Sequence, residues 1–294
     1  MTRRHPFGIV LTGGSGFIGR HVRACATASG IPVTLLSRSP LSRESNEELV
    51  LVDELHDADW PTIGRRFAEW ALLHLAWGGL PNYESSRHLG LELPRQIAAL
   101  RAAIKSHPAR LVVSGTCFEY GNLTGSICES HPCQPTTAYG ESKRRLLDEC
   151  LGWMQNGDVG LVWFRIFYPY GPGQRKDSLF GQLQTAAAIP GSTVLLQQPS
   201  RRSDFLPVSE VARDLVAAAV SGAACSILNL GSGLPRTVAA HALHLIVENA
   251  WNVNLATSSA DRNDGCSGMW ADVTHLKLWR DHIGGENRLG GHPC

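Results

Sequence analysis

Residues 12–19 of this chain, Thr-Gly-Gly-Ser-Gly-Phe-Ile-Gly, leave few folds open. An apolar run, Phe7-Gly8-Ile9-Val10-Leu11, precedes them, and His21-Val22-Arg23-Ala24-Cys25-Ala26 follows with helical character. A strand, a glycine-rich turn and a helix start, in that order, form a cradle for a dinucleotide pyrophosphate. Gly13 permits the tight turn, Gly16 lets backbone approach a phosphate, and Gly19 lets the helix pack close to the strand. The helix amino end then presents unpaired N–H groups and a positive dipole end to the anion. Gly13, Ser15, Gly16, Phe17, Ile18 and Gly19 are therefore the candidate seat of a cofactor.

Apolar strand-like runs recur at 8–12, 32–37, 49–52, 71–76, 110–115, 160–167 and 226–230, with helical stretches at 17–29, 60–69, 86–106, 139–156 and 208–221. This alternation predicts βαβ units, and hence an α/β fold on a parallel sheet covered on both faces. The pattern weakens after about residue 168, where 169–205 are rich in Gly, Pro, Gln and Arg. We expect a dinucleotide-binding domain over 1–168 that receives a returning segment at 206–233. Residues 169–205 and 234–294 are expected to form a smaller carboxy-terminal substrate lobe.

Composition narrows the class. A chain of 294 residues with 43% hydrophobic content can bury a large core. Its net charge of +1 argues against nucleic acid or a membrane surface as partner. No apolar run approaches the ~20 residues that span a bilayer. Residues 1–6 lead straight into the first strand, so no signal peptide is expected. The eight cysteines (25, 117, 128, 133, 150, 225, 266 and 294) form no CxxC pair, which predicts a reducing cytoplasm and no zinc site.

A second constellation is Tyr139-Gly140-Glu141-Ser142-Lys143. Residues four apart on a helix share a face, so Tyr139 and Lys143 project together. A nearby ammonium favours a phenolate, as a general acid/base working near neutrality requires. Cofactor choice is written after the second strand. An NAD enzyme usually carries an acid there for the ribose 2′-hydroxyl, whereas Arg suits a 2′-phosphate. This chain offers Ser37-Arg38-Ser39 and no acid, which predicts NADP(H), with NAD(H) as the alternative. Asp53, after the third strand, is a candidate adenine contact.

TGGSGFIG at 12–19, His74-Leu75-Ala76, SGTCFEYG at 114–121, YGESK at 139–143, Arg165 to YGPGQ at 170–174, and Asp204-Phe205-Leu206-Pro207-Val208 occur in one order. That order resembles the extended short-chain dehydrogenase/reductases, from about residue 7 to 235. The resemblance implies a Rossmann doubly wound sheet. It makes Tyr139 the catalytic acid/base and Lys143 the holder of the nicotinamide ribose. Thr116 would hydrogen-bond the substrate oxygen, with strand-end capping as its other reading. Leu75, Ala76 and Tyr168 would lie along the cofactor. Helices 86–106 and 139–156 would build a homodimer interface.

Departures from the family pattern narrow the chemistry. Dehydratases follow the Ser/Thr with an Asp-Glu pair, but Cys117 and Phe118 stand there. Glu119 falls one residue late, and on a continuing strand it would face away. The segment 74–83 resembles that of reductases making 6-deoxyhexoses on a nucleotide carrier. With Arg38, this points to an NADP(H)-dependent reductase of a nucleotide-linked 4-keto-6-deoxy sugar. Gln174, Arg201 and Arg202 are candidate substrate contacts, although Ser203 stands where the family often has Arg. A nucleotide-sugar 4-epimerase and a non-catalytic NADP-binding sensor remain the alternatives.

Overall fold

The computed structural model describes residues 5–154, 159–222, 226–257 and 268–287. Cys225, Cys266 and Cys294, positions 155–156 of the expected fourth helix, and 288–294 of the expected lobe lie outside these residues. The chain runs β1 His5–Thr12, α1 Phe17–Ala28, β2 Val33–Ser37, β3 Glu47–Leu51, α2 Trp60–Gly64, β4 Phe67–His74, α3 Leu93–Ile104, β5 Arg110–Thr116, β6 Gly125–Ile127 and α4 Ala138–Met154. Next come β7 Gly160–Ile166, β8 Tyr168–Tyr170, α5 Leu179–Ala187, β9 Thr193–Leu196, β10 Arg202–Pro207 and α6 Val208–Val220. The last elements are β11 Ser226–Leu230, β12 Pro235–Thr237, α7 Val238–Glu248, β13 Asn254–Thr257, β14 Met269–Ala271 and α8 Thr274–Asn287.

Seven strands pair in parallel in the order β11-β7-β5-β4-β1-β2-β3. Strands covered on both faces need apolar residues at successive positions. Ile9, Val10 and Leu11, and Ala71, Leu72 and Leu73, are accordingly all fully buried. On one face, Val22 of α1, Leu215 of α6 and Leu276 of α8 share a core with Ile9, Leu11 and Phe164. On the other, Trp60 of α2, Leu100 of α3 and Leu146 of α4 pack with Val10, Leu72 and Val113. The parallel α/β sheet read from the periodicity, and the doubly wound form implied by the family resemblance, are both present. The expected 60–69 helix stops at Gly64, because Phe67 and Trp70 enter the sheet as β4 and Trp70 stacks on Trp60. The expected 86–106 helix opens with a widened turn at His88–Glu92, ahead of Pro94 in α3.

From β1 the chain winds one way through β2 and β3, then crosses back to place β4 on the other side of β1. Connections diverge at that reversal and open a crevice beyond the carboxyl ends of β1 and β4. Facing the crevice, β8, β10 and β12 form a small sheet, and β9 pairs with β13. Phe180, Leu183, Leu196 and Leu245 build a separate core there. The carboxy-terminal α8 does not join that core. Trp279 packs edge-on to Phe164 of β7, and Arg280 forks onto Asp214 of α6 at 3.1 and 2.5 Å.

Candidate active site

The glycine-rich turn has the geometry its sequence implies. Gly13 holds φ at 76°, and a Cβ there would lie 2.7 Å from the Ala76 nitrogen. A Cβ on Gly19 would fall 2.1 Å from the Gly13 carbonyl oxygen, so only glycine lets α1 approach β1 this closely. Gly16 caps α1 without a side-chain hydrogen bond, which leaves the first-turn N–H groups free for an anion. Gly13, Ser15 and Gly16 line a cleft of about 310 Å³ with Leu36, Ser37, Arg38, Ser39, Leu55, Leu75, Ala76 and Trp77. A bare-backbone cradle at one end and apolar Leu36, Leu41 and Leu55 with Arg38 at the other fit a dinucleotide. A more open pocket of about 420 Å³, near Arg65, Lys105 and His107, lies at the opposite end of the sheet.

Tyr139 and Lys143 occupy the first turns of α4 and are both buried. The Lys143 ammonium donates to the Ser114 carbonyl at 2.8 Å and sits 4.2 Å from the Trp77 ring centroid. Burial lowers its pKa to about 7, against a smaller pull from Glu119. Burial also pushes the Tyr139 phenol well up, and Tyr83, Glu119 and Cys117 add to the rise, while a hydrogen bond with Thr116 opposes it. Burial, the largest influence, thus holds the Tyr139 phenol above its ordinary range, opposite in direction to the lowering expected from the Lys143 spacing.

Thr116 closes β5 and caps a tight turn over Cys117–Tyr120. Its hydroxyl accepts from the Phe118 N–H at 3.3 Å, so the capping reading is present, while its proton is left to serve the Tyr139 oxygen. The same turn changes where Glu119 goes. A continuing strand would have turned it away, but the turn folds it back, fully buried, onto the Thr116 N–H at 2.9 Å. Glu119 also accepts from Trp163 Nε1 at 3.0 Å and Arg165 Nε at 2.9 Å. Arg165 donates onward to the Tyr120 hydroxyl at 2.9 Å, which donates to Asn229 Oδ1 at 2.7 Å. This network is a floor beneath Thr116.

An aromatic wall surrounds the Tyr139 ring, with His88 at 5.3 Å, Tyr83 at 5.6 Å, Trp77 at 5.9 Å and Phe118 at 6.5 Å between centroids. The loop carrying Tyr83 is tied to α4 by the Tyr139 N–H donating to the Tyr83 carbonyl at 2.9 Å. Cys117 is buried in this neighbourhood, and its thiol is pushed up to about 12 by burial. Spacing rules missed Trp77, Tyr83 and His88. The one available signal was their place in the segment after His74-Leu75-Ala76.

Other expected residues are placed unevenly. Asp53 is exposed and does not line the dinucleotide cleft; Glu54 and Leu55 do, because the turn after Asp53 swings the next two residues inward. Ser37 is engaged with its own loop, donating to the Ser39 carbonyl at 2.8 Å, and Arg38 is exposed with no partner among the described residues. The Phe17 side chain lies against His21 and that of Ile18 against the α1 core, so both residues offer the cleft their backbone N–H and not their side chains. Tyr168 sits instead beside Phe118 and Phe205 and accepts from Arg201 Nη2 at 3.0 Å. Arg202 is exposed on β10, and its side chain has no partner among the described residues. Gln174 donates to the Pro169 carbonyl at 3.1 Å, its amide oxygen buried and unpaired. The 231–233 turn is clamped by buried Asp204, which accepts from the Ser232 and Gly233 N–H groups at 2.7 and 3.0 Å.

A doubly wound sheet with a pyrophosphate cradle at its reversal, and a buried Tyr-Lys pair beside it, defines a class of dinucleotide-dependent enzyme folds. The sequence profile of the NAD dependent epimerase/dehydratase family matches residues 9–231. The chain belongs to that family. The dTDP-6-deoxy-L-talose 4-dehydrogenase (NAD(P)(+)) of Kitasatospora kifunensis is 29% identical over 263 residues, covering 85% of this chain and 82% of that protein. The dTDP-6-deoxy-L-talose 4-dehydrogenase (NAD(+)) of Aggregatibacter actinomycetemcomitans is 24% identical, over 82% and 90% of the two chains. Among solved structures, MoeE5 in complex with UDP-glucose and NAD superposes with a TM-score of 0.76 at 25% identity, covering 94% of this chain and 92% of that one. Among the described residues no helix is long and apolar enough to cross a membrane, and no group of three or more His, Cys, Asp or Glu is placed to hold a metal ion.

Proposed function

We propose that this protein is an NADP(H)-dependent reductase of a nucleotide-linked 4-keto-6-deoxy sugar, equivalently a 4-dehydrogenase running in reverse. Tyr139 is the acid/base, Lys143 holds the nicotinamide ribose, and Thr116 orients the sugar oxygen. Residues 1–168 and 206–233 form the dinucleotide-binding part, and 169–205 with 234–294 the substrate lobe. The protein works in the cytoplasm as a homodimer through its α3 and α4 faces.

The observation that carries the reading is the buried cluster of Tyr139, Lys143 one helical turn along α4, and Thr116 in hydrogen-bond contact with the Tyr139 hydroxyl. When bound, the nicotinamide exchanges a hydride with the sugar carbon bearing the oxygen. As that carbon is reduced, Tyr139 gives its phenolic proton to the oxygen, which the Thr116 hydroxyl holds in line. The phenolate left behind is stabilised by the Lys143 ammonium. Elimination of water would need an acid pair at Cys117 and Phe118, and the neighbouring carboxylate of Glu119 is taken up by Thr116, Trp163 and Arg165. The apolar surround of Tyr83, Phe118 and Cys117 favours a methyl over a hydroxymethyl group on the sugar.

Gly13, Ser15 and Gly16 would hold the pyrophosphate, and Leu75 and Ala76 would flank the cofactor. Arg38 would meet the 2′-phosphate, a role its unpartnered guanidinium supports. Arg201, held on Tyr168, is the better placed of the two neighbouring arginines for a substrate diphosphate. The names of the two relatives in the talose series support the sugar class, and one of them is described as using NAD(P)(+).

The test follows oxidation of NADPH and NADH against dTDP-, GDP- and CDP-4-keto-6-deoxyhexoses. Turnover of one of them, faster with NADPH, is the expected result. An altered sugar configuration with no net cofactor oxidation would replace the reading by a 4-epimerase. Tight NADP binding without any turnover would replace it by a sensor.

A further inference from the structure

The Lys143 ammonium is the costliest group in the site. It is 1% exposed, and among the described residues one carbonyl, that of Ser114, is its hydrogen-bond partner. An amine in that position releases its proton easily, because the surroundings solvate its charge poorly. Something must offset the burial if the ammonium is to stay charged beside Tyr139.

The charged and titratable groups facing Lys143 come from several elements. Glu119, from the turn after β5, is committed to Thr116, Trp163 and Arg165. His74, at the end of β4, is buried and repels the ammonium if protonated. Cys150 and Tyr139 lie on α4 itself. Beyond the Ser114 carbonyl, the ammonium nitrogen lies 4.2 Å from the Trp77 ring centroid, closer than the 5.9 Å to the Tyr139 ring. A desolvated cation over an indole face gains more than one over any other aromatic side chain.

The Trp77 ring is not free to turn. Its Nε1–H donates to His88 Nδ1 at 3.0 Å. An accepting Nδ1 leaves the His88 proton on Nε2, which donates to the Asn82 carbonyl at 2.8 Å. His88 is fully buried in the widened turn before α3, so both ring nitrogens are satisfied by the protein. The Asn82 carbonyl thereby sets the His88 tautomer, His88 sets the Trp77 plane, and that plane faces the ammonium.

We propose that Trp77, oriented by His88, is a positioning residue that keeps the Lys143 side chain charged and aimed beside Tyr139. The proposal rests on the reading of Lys143 as the site lysine, but its central test does not require turnover. The chain contains four lysines (105, 143, 176 and 277), so protein labelled with [ε-¹³C]lysine gives few signals to assign. Lys143→Met identifies the Lys143 signal by its disappearance, and the titration of that signal is followed by NMR in the free protein.

In Trp77→Leu the midpoint moves down by about one pH unit, because an aliphatic side chain fills space without a π face. Trp77→Phe keeps a face and recovers most of that shift. His88→Gln, whose amide can accept from Trp77 and donate to Asn82, titrates like the wild type, whereas His88→Leu follows Trp77→Leu. A Lys143 midpoint unchanged in folded Trp77→Leu and Trp77→Phe overturns the proposal, as does an equal shift in both. If the midpoint moves as expected but Lys143→Met retains full reductase activity, the tuning stands and the reading of the reaction falls. The two failures are therefore separable.

Discussion

Replacing Glu119 by Ala tests whether the floor beneath the site holds as a unit. Glu119 is fully buried and accepts from the Thr116 N–H at 2.9 Å, Trp163 Nε1 at 3.0 Å and Arg165 Nε at 2.9 Å. Removing one partner of a buried ion pair costs about 3–5 kcal/mol, since the remaining charge is left uncompensated. The two other donors add about 1–3 kcal/mol each if they stay dry. Arg165 keeps the Tyr120 hydroxyl at 2.9 Å and the Glu129 carbonyl at 3.2 Å, and the vacated space admits water. These reduce the sum, and we expect a net loss of about 4–6 kcal/mol. At about 2–4 °C per kcal/mol for a chain approaching this size, Tm falls by about 10–20 °C. Urea unfolding followed by circular dichroism measures it, with the m-value checked for constancy. Replacing Glu119 and Arg165 both by Met should recover part of the loss, because no lone buried charge remains. A loss below about 1 kcal/mol for Glu119→Ala would refute the reasoning, since that is the scale of an exposed pair.

Three further outcomes are expected. Tyr139→Phe should lower kcat by about 10²–10⁴-fold, the usual worth of a positioned proton donor, with NADPH affinity retained by fluorescence titration; an undiminished rate removes Tyr139 from the chemistry. Arg38→Ala should raise KM for NADPH by about 10–100-fold, from about 1.5–3 kcal/mol of charge-assisted bonding, and leave KM for NADH unchanged; an equal change for both cofactors excludes a 2′-phosphate contact. His241 is buried with both ring nitrogens unpaired, stacked on Phe205, and burial lowers its pKa to about 3. The unfolded chain takes up that proton below about 6.5 while the folded chain does not, so stability falls as pH drops from 6.5 toward 3. At pH 5 this part of the loss is about 2 kcal/mol from 1.36 kcal/mol per unit; His241→Phe should remove it and leave the matching fall contributed by buried His74. Equal falls in urea midpoint between pH 7.5 and 5 for both proteins would contradict the assignment.

Much of this protein was determined by local pattern. The apolar runs and the helices between them foretold the parallel sheet, since strands buried on both faces and helices buried on one carry different periods. The glycines at 13, 16 and 19 were legible because each answers a local steric demand, and the 139/143 spacing because four residues return to one helix face. The NADP reading rested on a single side chain at a strand end, a position whose meaning topology sets.

Tertiary structure decided what lies between distant segments. Trp77, Tyr83 and His88 surround Tyr139 only because the loop after β4 drapes over α4, and no period links positions 77, 88 and 139. Glu119 was misread because one turn, closed by a capping interaction between Thr116 and Glu119, reverses the direction a strand would have given it. Asp53 lost its expected place to Leu55 for a similar reason, a short turn that rotates the next residues inward. The direction in which burial moves the Tyr139 phenol could not be read from a neighbouring lysine, because desolvation depends on how completely the rest of the fold closes around the ring. Sequence patterns act over a few residues, and burial is a property of the whole packed chain.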